Sequence, residues 1–123
     1  MKPRGGGSIV NIASVTAWHP ERNLGLYSTL KTALIGLSRA FALEYGEFGI
    51  RVNTVLPRLI ETKLADAFDA KTKARLVSRL PARRLGRVED IGDAILYLCA
   101  PTGSFATGAS LNVDGGLTLS LVV

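Results

Sequence analysis

The sequence predicts an α/β fold in which a short parallel sheet of about three strands is flanked by helices. Two observations predict it. Segments rich in β-branched residues alternate with segments whose apolar residues recur at three- and four-residue spacing. Their order is strand, helix, strand, helices, strand, which is typical of parallel sheets with right-handed crossovers. We therefore expect a single domain over residues 1–123.

The first three elements are predicted from residue periodicity. Ser8–Ala13 is a β-branched run after three glycines and is expected to be a strand buried on both faces. From about Leu24 to Tyr45 the apolar spacing is helical, and glycines follow the last turn. Arg51–Leu56 is again strand-like and should end at Pro57, because proline supplies no backbone donor.

The remaining elements lie in the second half of the chain. Thr62–Leu80 has high helix propensity but an interrupted apolar stripe, so we expect one or two short, mobile helices. Val88–Ala100 is predicted to be a helix, with Glu89 and Asp90 in the first turn where they favour the helix dipole. Ser110–Asp114 is predicted to be a short strand between glycines.

Composition limits the classes of protein that this chain can represent. Its 123 residues are 47% apolar and carry 15 basic against 10 acidic side chains, a net charge of +5, so it has material for one core and is not intrinsically disordered. The single cysteine, Cys99, excludes an internal disulfide and a multi-cysteine zinc site, and no metal is predicted. No apolar run approaches the roughly 20 residues of a membrane span. We expect a cytoplasmic protein that does not bind membranes.

The basic charge is densest between Arg79 and Arg87. Such a cluster could bind phosphate, either of a nucleic acid or of a cofactor, or it could be a solvated loop that steers anions. Because aromatic residues are sparse and are not interleaved with the arginines, the solvated loop is favoured and nucleic acid is an unlikely partner.

A candidate chemical site combines Ser14, Tyr27 and Lys31. Tyr27 and Lys31 are four residues apart and share one face of the predicted helix. A phenol has an ordinary pKa of about 10, and a neighbouring ammonium group favours its anion, so such a pair can act as general acid and base. Ser14 ends the first strand, at the sheet edge where ligands of parallel sheets bind. A Tyr-x-x-x-Lys spacing alone is common by chance, but its combination with this serine and with Asn53–Pro57 is much rarer.

These segments resemble the C-terminal half of a classical short-chain dehydrogenase/reductase over nearly the whole chain. Residues 7–14 resemble the strand that ends in the catalytic serine, and Tyr27 follows Ser14 at the usual distance of thirteen residues. Residues 53–57 resemble the Asn-x-x-x-Pro-Gly turn, and residues 86–91 and 112–116 resemble two later signature segments. The resemblance implies a partial Rossmann-like sheet without its N-terminal half. It also implies that Met1 was an internal methionine of a longer ancestor.

The resemblance implies a role for each matched residue. Ser14 would polarise the substrate carbonyl, Tyr27 would exchange the proton, and Lys31 would bind the nicotinamide ribose. The residues expected to contact NAD or NADP are Tyr27, Lys31, Pro57, Ile60 and Thr62. A hydride would move between this cofactor and a small-molecule carbonyl or alcohol substrate. Thr62 has an equally good interpretation as a helix cap.

Two departures from the family pattern affect these expectations. Arg58 stands where the family usually has glycine, either as a tolerated replacement or as a phosphate contact. The glycine-rich turn that holds the cofactor pyrophosphate has no match in the sequence, which should weaken dinucleotide binding by several orders of magnitude. We therefore expect a fragment with weak or no activity alone. The alternative is a noncatalytic module, derived from this family, for oligomerisation or interaction.

The partial fold also predicts self-association. The strand at residues 8–13 would expose one hydrogen-bonding edge, and the helix at residues 24–45 would expose a face that the family uses against a partner subunit. A homo-oligomer through these two surfaces is expected. Trp18, His19 and Cys99 are assigned to structure or to the pocket wall, and Asp114 to a turn.

Overall fold

The computed structural model describes residues 1–62 and 68–119. Within them, three strands form one parallel sheet in the order β1-β2-β3, which confirms the predicted fold class. The strands are β1 at Gly7–Ile12, β2 at Ile50–Pro57 and β3 at Ser110–Val113. The α-helices are α1 at Gly25–Tyr45, α2 at Ala70–Arg79 and α3 at Val88–Cys99.

The core forms around β2, the middle strand. Val52, Val55 and Leu56 have no exposed surface. Side chains of a strand alternate between its two faces. Leu56 packs with Ile35 of α1, so this face of the sheet lies under α1. The opposite face of the sheet lies under α3, because the guanidinium of Arg51 donates to the backbone oxygen of Leu98 at 2.6 Å.

The first strand is less buried than expected. The prediction that β1 is buried on both faces is wrong: its residues are half-buried, and Ile12 is 40% exposed. The physical reason is its position in the sheet. Among the described residues β1 pairs only with β2, so its other edge and much of its side-chain surface have no neighbour. The predicted free edge is thereby confirmed for the described part of the chain.

The end of β2 sets the position of the loop that follows it. Pro57 is the last residue of the strand, opposite Val113 of β3. The backbone N–H of Arg58 donates to the Val113 oxygen at 3.3 Å, so the chain stays beside β3 for one more residue. Leu59 then adopts a left-handed φ of 50° and turns the chain away from the sheet.

The predicted helical segment from Thr62 to Leu80 contains α2. Asp69 caps this helix by accepting a hydrogen bond from the Thr72 backbone N–H at 2.7 Å, and this bond lowers the pKa of the Asp69 carboxyl. The start of the segment, including the helix that Thr62 would cap, falls at residues 63–67, outside the described residues. In the described ranges no helix has both the length and the apolar character needed to cross a bilayer.

Candidate active site

The carboxyl ends of β1 and β2 open onto a cavity of about 530 Å³. Ser14 lies just beyond β1, Pro57 closes β2, and Tyr27 lies in the first turns of α1. Five of the six residues predicted from the sequence line this active-site cavity: Ser14, Tyr27, Pro57, Ile60 and Thr62. Lys31, the sixth, lies one helical turn beyond Tyr27 and reaches the end of β1.

Ser14 is held by its neighbour Thr16. The buried Ser14 Oγ accepts hydrogen bonds from the Thr16 backbone N–H at 3.2 Å and from the Thr16 hydroxyl at 3.0 Å. A serine hydroxyl has two acceptor lone pairs and one donor proton. Since both lone pairs are engaged, the Ser14 proton remains available for an acceptor in the cavity. This is the arrangement that a carbonyl-polarising hydroxyl requires.

Lys31 joins α1 to the end of β1. Its Nζ donates to the backbone oxygen of Ile12 at 2.8 Å and lies 5.7 Å from the centre of the Tyr27 ring. An ammonium group has three donors, so two remain for other acceptors. The Tyr27 side chain is 44% exposed and turns to the cavity rather than into the packed interior. The Tyr27 phenol, the Lys31 ammonium and the Ser14 hydroxyl therefore lie together near the carboxyl end of β1.

The loop after β2 is tied to the segment before α3. Ile60 forms a parallel bridge with Gly86. The Gly86 N–H donates to the Leu59 oxygen at 3.1 Å, and the Glu61 N–H donates to the Gly86 oxygen at 2.7 Å. A Cβ on Gly86 would come within 2.6 Å of the Ile60 side chain. Close packing at this glycine therefore fixes the cavity wall formed by Ile60.

Arg58 makes the clearest polar contact across the cavity mouth. Its guanidinium forms an ion pair with the Glu21 carboxylate, which joins the loop after β1 to the loop after β2. Arg58 also lines a second, more polar cavity of about 420 Å³. The side chain thus lies between the two cavities.

One arginine of the basic cluster, Arg84, lines the second cavity. The Arg84 guanidinium forms a bidentate ion pair with the Asp90 carboxylate, with hydrogen bonds of 2.6 and 2.9 Å. This contact, with a further hydrogen bond from the Arg87 backbone N–H, holds the pKa of Asp90 well below its usual range. Arg83 donates to the Ser78 oxygen. Arg83 and Arg84 of the basic cluster are therefore engaged in contacts within the chain.

The described residues fit one end of a nicotinamide dinucleotide. The hydroxyl, phenol and ammonium groups around the active-site cavity suit a nicotinamide ring and its ribose. The only glycine pair that follows a strand in the described ranges, Gly115–Gly116, is engaged elsewhere: Asp114 accepts hydrogen bonds from the N–H groups of Gly116 at 3.0 Å and Thr118 at 2.9 Å. Gly5 and Gly6 precede β1 and Gly7 is its first residue, so they lie at the opposite end of the strand from the cavity. These glycines therefore do not form a pyrophosphate site.

Asp114 acts as the turn residue that the sequence predicts. Burial raises its pKa, but the hydrogen bonds from Thr118 and Gly116 outweigh burial and leave the pKa lowered. Trp18 contributes to structure by packing against Arg39, whose guanidinium carbon is 5.9 Å from the Trp18 ring centre. His19 and Cys99 are exposed, and neither is among the described cavity-lining residues. The described ranges hold no group of three His, Cys, Asp or Glu residues arranged for a metal.

Sequence reasoning missed three contributors to the site. Thr16 was not singled out, although its position two residues after Ser14 is a signal for a local hydroxyl turn. Glu21 and Leu85 line the cavity because of the tertiary fold, and no local pattern marks them.

Comparison with known protein families shows which family the chain belongs to. The family model described as enoyl-(acyl carrier protein) reductase matches residues 1–118. Together with the parallel sheet and the Ser, Tyr and Lys arrangement, this match defines an oxidoreductase-type α/β domain. The chain belongs to the short-chain dehydrogenase/reductase family.

Relatives in this family extend well beyond the matched segment. The chain is 40% identical over 118 residues to dehydrogenase/reductase SDR family member 4 of Oryctolagus cuniculus, covering 94% of this chain and 45% of the relative. It is 38% identical over 118 residues to cis-4-hydroxycyclohexanecarboxylate dehydrogenase of Sinomonas cyclohexanicum, covering 96% and 47%. The chain thus spans about half the length of the curated relatives it matches.

Solved structures give the same result. A short-chain type dehydrogenase/reductase from Mycobacterium ulcerans superposes with a TM-score of 0.91 at 37% identity, over 97% of this chain and 44% of that one. A 7α-hydroxysteroid dehydrogenase, solved with NADH and 7-oxo glycochenodeoxycholic acid, superposes with a TM-score of 0.89 at 36% identity, over 94% and 46%. Both confirm the partial Rossmann-like fold.

Proposed function

We propose that this chain carries the catalytic half of an NAD(P)-dependent oxidoreductase that interconverts a carbonyl and an alcohol. The observation that carries the proposal is the meeting of Ser14 and Tyr27 at one cavity, with the Lys31 ammonium beside the tyrosine ring. The names of two similar proteins support it: one is a hydroxycyclohexanecarboxylate dehydrogenase, and another was solved with NADH and an oxo steroid.

Each of the three side chains has a separate task in this proposal. Ser14 donates its free proton to the substrate oxygen and so stabilises the negative charge that develops there. Tyr27 gives a proton to that oxygen during reduction and takes it back during oxidation. Lys31 places its positive charge 5.7 Å from the centre of the Tyr27 ring, and its two remaining donors suit ribose hydroxyls.

The cofactor would be held mainly at its nicotinamide end. Tyr27, Lys31, Pro57, Ile60 and Thr62 would contact the nicotinamide and its ribose, and the bound cofactor supplies or accepts the hydride. Since the described residues lack a pyrophosphate site, most of the dinucleotide's usual binding energy would have no source in them. Activity of this chain alone should therefore be weak.

Reduced nicotinamide mononucleotide tests the proposal, because it needs no pyrophosphate site. Its binding, and that of NADH and NADPH, can be measured by ligand-observed NMR, and turnover by reduction of benzaldehyde. The mononucleotide and the dinucleotides should bind with similar affinity, weaker than about 0.1 mM. Turnover should be lost in Tyr27→Phe and kept in Thr29→Val, which removes an exposed hydroxyl on the same helix. Micromolar binding of NADH would contradict the missing pyrophosphate site, and absence of turnover at saturating mononucleotide would exclude catalysis by this chain.

The second candidate is a noncatalytic module that associates through exposed surfaces. It is favoured by the exposed leucines of α1, Leu26, Leu30 and Leu37, and by the free edge of β1. It predicts that Tyr27→Phe changes nothing measurable. The two candidates share one partner, a second copy of this chain, and differ in whether the cavity reacts.

A further inference from the structure

Arg58 brings a positive charge into the wall of the active-site cavity. Its backbone is fixed by the hydrogen bond to the Val113 oxygen, and its side chain lines the cavity together with Ser14 and Tyr27. The guanidinium spans the mouth to the Glu21 carboxylate. A charged group at the rim of a largely apolar cavity has a strong influence on which ligands enter, because it is poorly screened there.

The polar part of the cavity mouth is one ion pair. Among the described lining residues, Arg58 supplies the guanidinium and Glu21 the carboxylate that pairs with it. Most of the other described lining residues are apolar or carry hydroxyl groups. A ligand anion that replaced Glu21 would therefore meet the guanidinium beside an apolar surface.

The Glu21 carboxylate of the ion pair across the mouth can be replaced by another anion. The Glu21 side chain is 43% exposed, whereas that of Arg58 is 22% exposed, so the carboxylate is the partner that returns more easily to water. A ligand anion that takes the place of this carboxylate would keep Arg58 paired, so the exchange leaves no uncompensated charge in the cavity wall. The guanidinium fork matches the geometry of a carboxylate or a phosphate group and would keep a charged partner after the exchange.

We infer that the substrate of this cavity is an anionic carbonyl or alcohol compound, whose carboxylate or phosphate group binds Arg58 in place of Glu21. The reacting carbon then lies at Ser14 and Tyr27, and an apolar segment of the substrate contacts the cavity walls. The inference rests on the proposed function, since it assigns the substrate class of the same site. Arg58 is thus a residue that determines specificity, at a position where the family usually has a glycine.

Three probes with the same carbon chain test the anion site: hexanoate, hexyl phosphate and hexanamide. Their binding to the full chain can be measured by ligand-observed NMR titration. At least one anion should bind about tenfold more tightly than hexanamide, and this preference should disappear in Arg58→Gln. The comparison of hexanoate with hexyl phosphate identifies which anion the site prefers. Equal affinities of all three probes for the wild-type chain would overturn the inference.

The two partners of the ion pair should respond in opposite directions. Glu21→Gln removes the competing carboxylate, so it should strengthen anion binding severalfold and leave hexanamide binding unchanged. If the pair only tied the two loops together, Glu21→Gln and Arg58→Gln would alter binding in the same direction, and that result would overturn the inference. Arg84→Gln is the matched control: it removes an arginine paired with a carboxylate outside this cavity and should leave the preference intact.

Two further measurements separate this inference from the proposed function. The probe assay needs no turnover, so Tyr27→Phe should keep the anion preference even though it abolishes the reaction. A chain that prefers anions but never turns over would refute the oxidoreductase proposal and keep the anion site. Reduced nicotinamide mononucleotide also carries a phosphate. If Arg58→Gln weakens its binding as much as that of the anionic probes, Arg58 serves the cofactor and the substrate assignment is overturned.

Discussion

Thr16 donates both its backbone N–H and its hydroxyl proton to Ser14 Oγ, at 3.2 and 3.0 Å. This relationship occupies the acceptor side of the serine and leaves its proton for a ligand. Both residues are buried, so water does not compete well for these positions. Thr16 is therefore a positioning residue for the proposed carbonyl-polarising group.

Replacement of Thr16 by valine should lower kcat by about tenfold and change KM little. The variant keeps the backbone hydrogen bond but loses the hydroxyl donor, so the Ser14 proton is no longer directed into the cavity. Ser14→Ala removes the donor itself and should cost more, about a hundredfold or above. Steady-state carbonyl reduction with reduced nicotinamide mononucleotide measures both parameters. A Thr16→Val variant that raises KM at constant kcat would contradict the positioning role.

A buried amide side chain holds the loop that leads into β3. Asn53 is fully buried; its Nδ2 donates to the Ala106 oxygen at 2.8 Å, and its Oδ1 accepts from the Ala109 N–H at 3.0 Å. Asn53→Leu should lower the free energy of unfolding by about 1–3 kcal/mol, because the Ala109 N–H loses its partner and the Ala106 oxygen keeps only its longer contact with the Arg51 guanidinium. Urea unfolding followed by circular dichroism measures the loss. Asn112→Leu, on the exposed side of β3, is the control and should change stability by less than about 1 kcal/mol.

The Arg84–Asp90 pair should make stability depend on pH in the acid range. The hydrogen bonds from Arg84 and Arg87 lower the pKa of Asp90 in the folded state. A lowered folded-state pKa stabilises the fold above the unfolded-state pKa of about 4, and this contribution is lost as the pH falls further. Asp90→Asn should therefore reduce the urea midpoint at about pH 6 and have a decreasing effect below about pH 4. Glu89→Gln, in the same first turn but without the arginine contact, should keep the wild-type dependence on pH. A constant difference between Asp90→Asn and wild type at every pH would argue against this linkage.

The sequence was sufficient for most of the fold because its signals are local. The predicted boundaries of β1, α1, β2, α3 and β3 differ from the observed ones by at most one residue at each end. Half-burial of β1 was missed, since burial depends on which neighbours the strand has and not on its own pattern.

The sequence likewise predicts one part of the candidate site and not another. The convergence of Ser14 and Tyr27 follows from the rule that parallel strands present ligands at their carboxyl ends. The contact between Arg58 and Glu21 joins two loops that are 37 residues apart in sequence. Irregular loops have no period, so no pattern in the sequence indicated this contact.

The exposed leucines of α1 should support self-association. Leu26, Leu30 and Leu37 lie on one face of the helix by their spacing, and Leu30 is 59% exposed. Leu43 is 86% exposed but lies about 120° around the helix axis from the centre of that face. Burying a leucine stabilises an interface by about 1.5–3 kcal/mol, so a charge in its place should weaken a dimer at least tenfold. Leu30→Glu should therefore shift the chain towards monomer in analytical ultracentrifugation, whereas Leu43→Glu should leave its oligomeric state unchanged. Equal effects of the two variants would assign association to the free edge of β1. A wild-type chain that is monomeric at high concentration would exclude self-association.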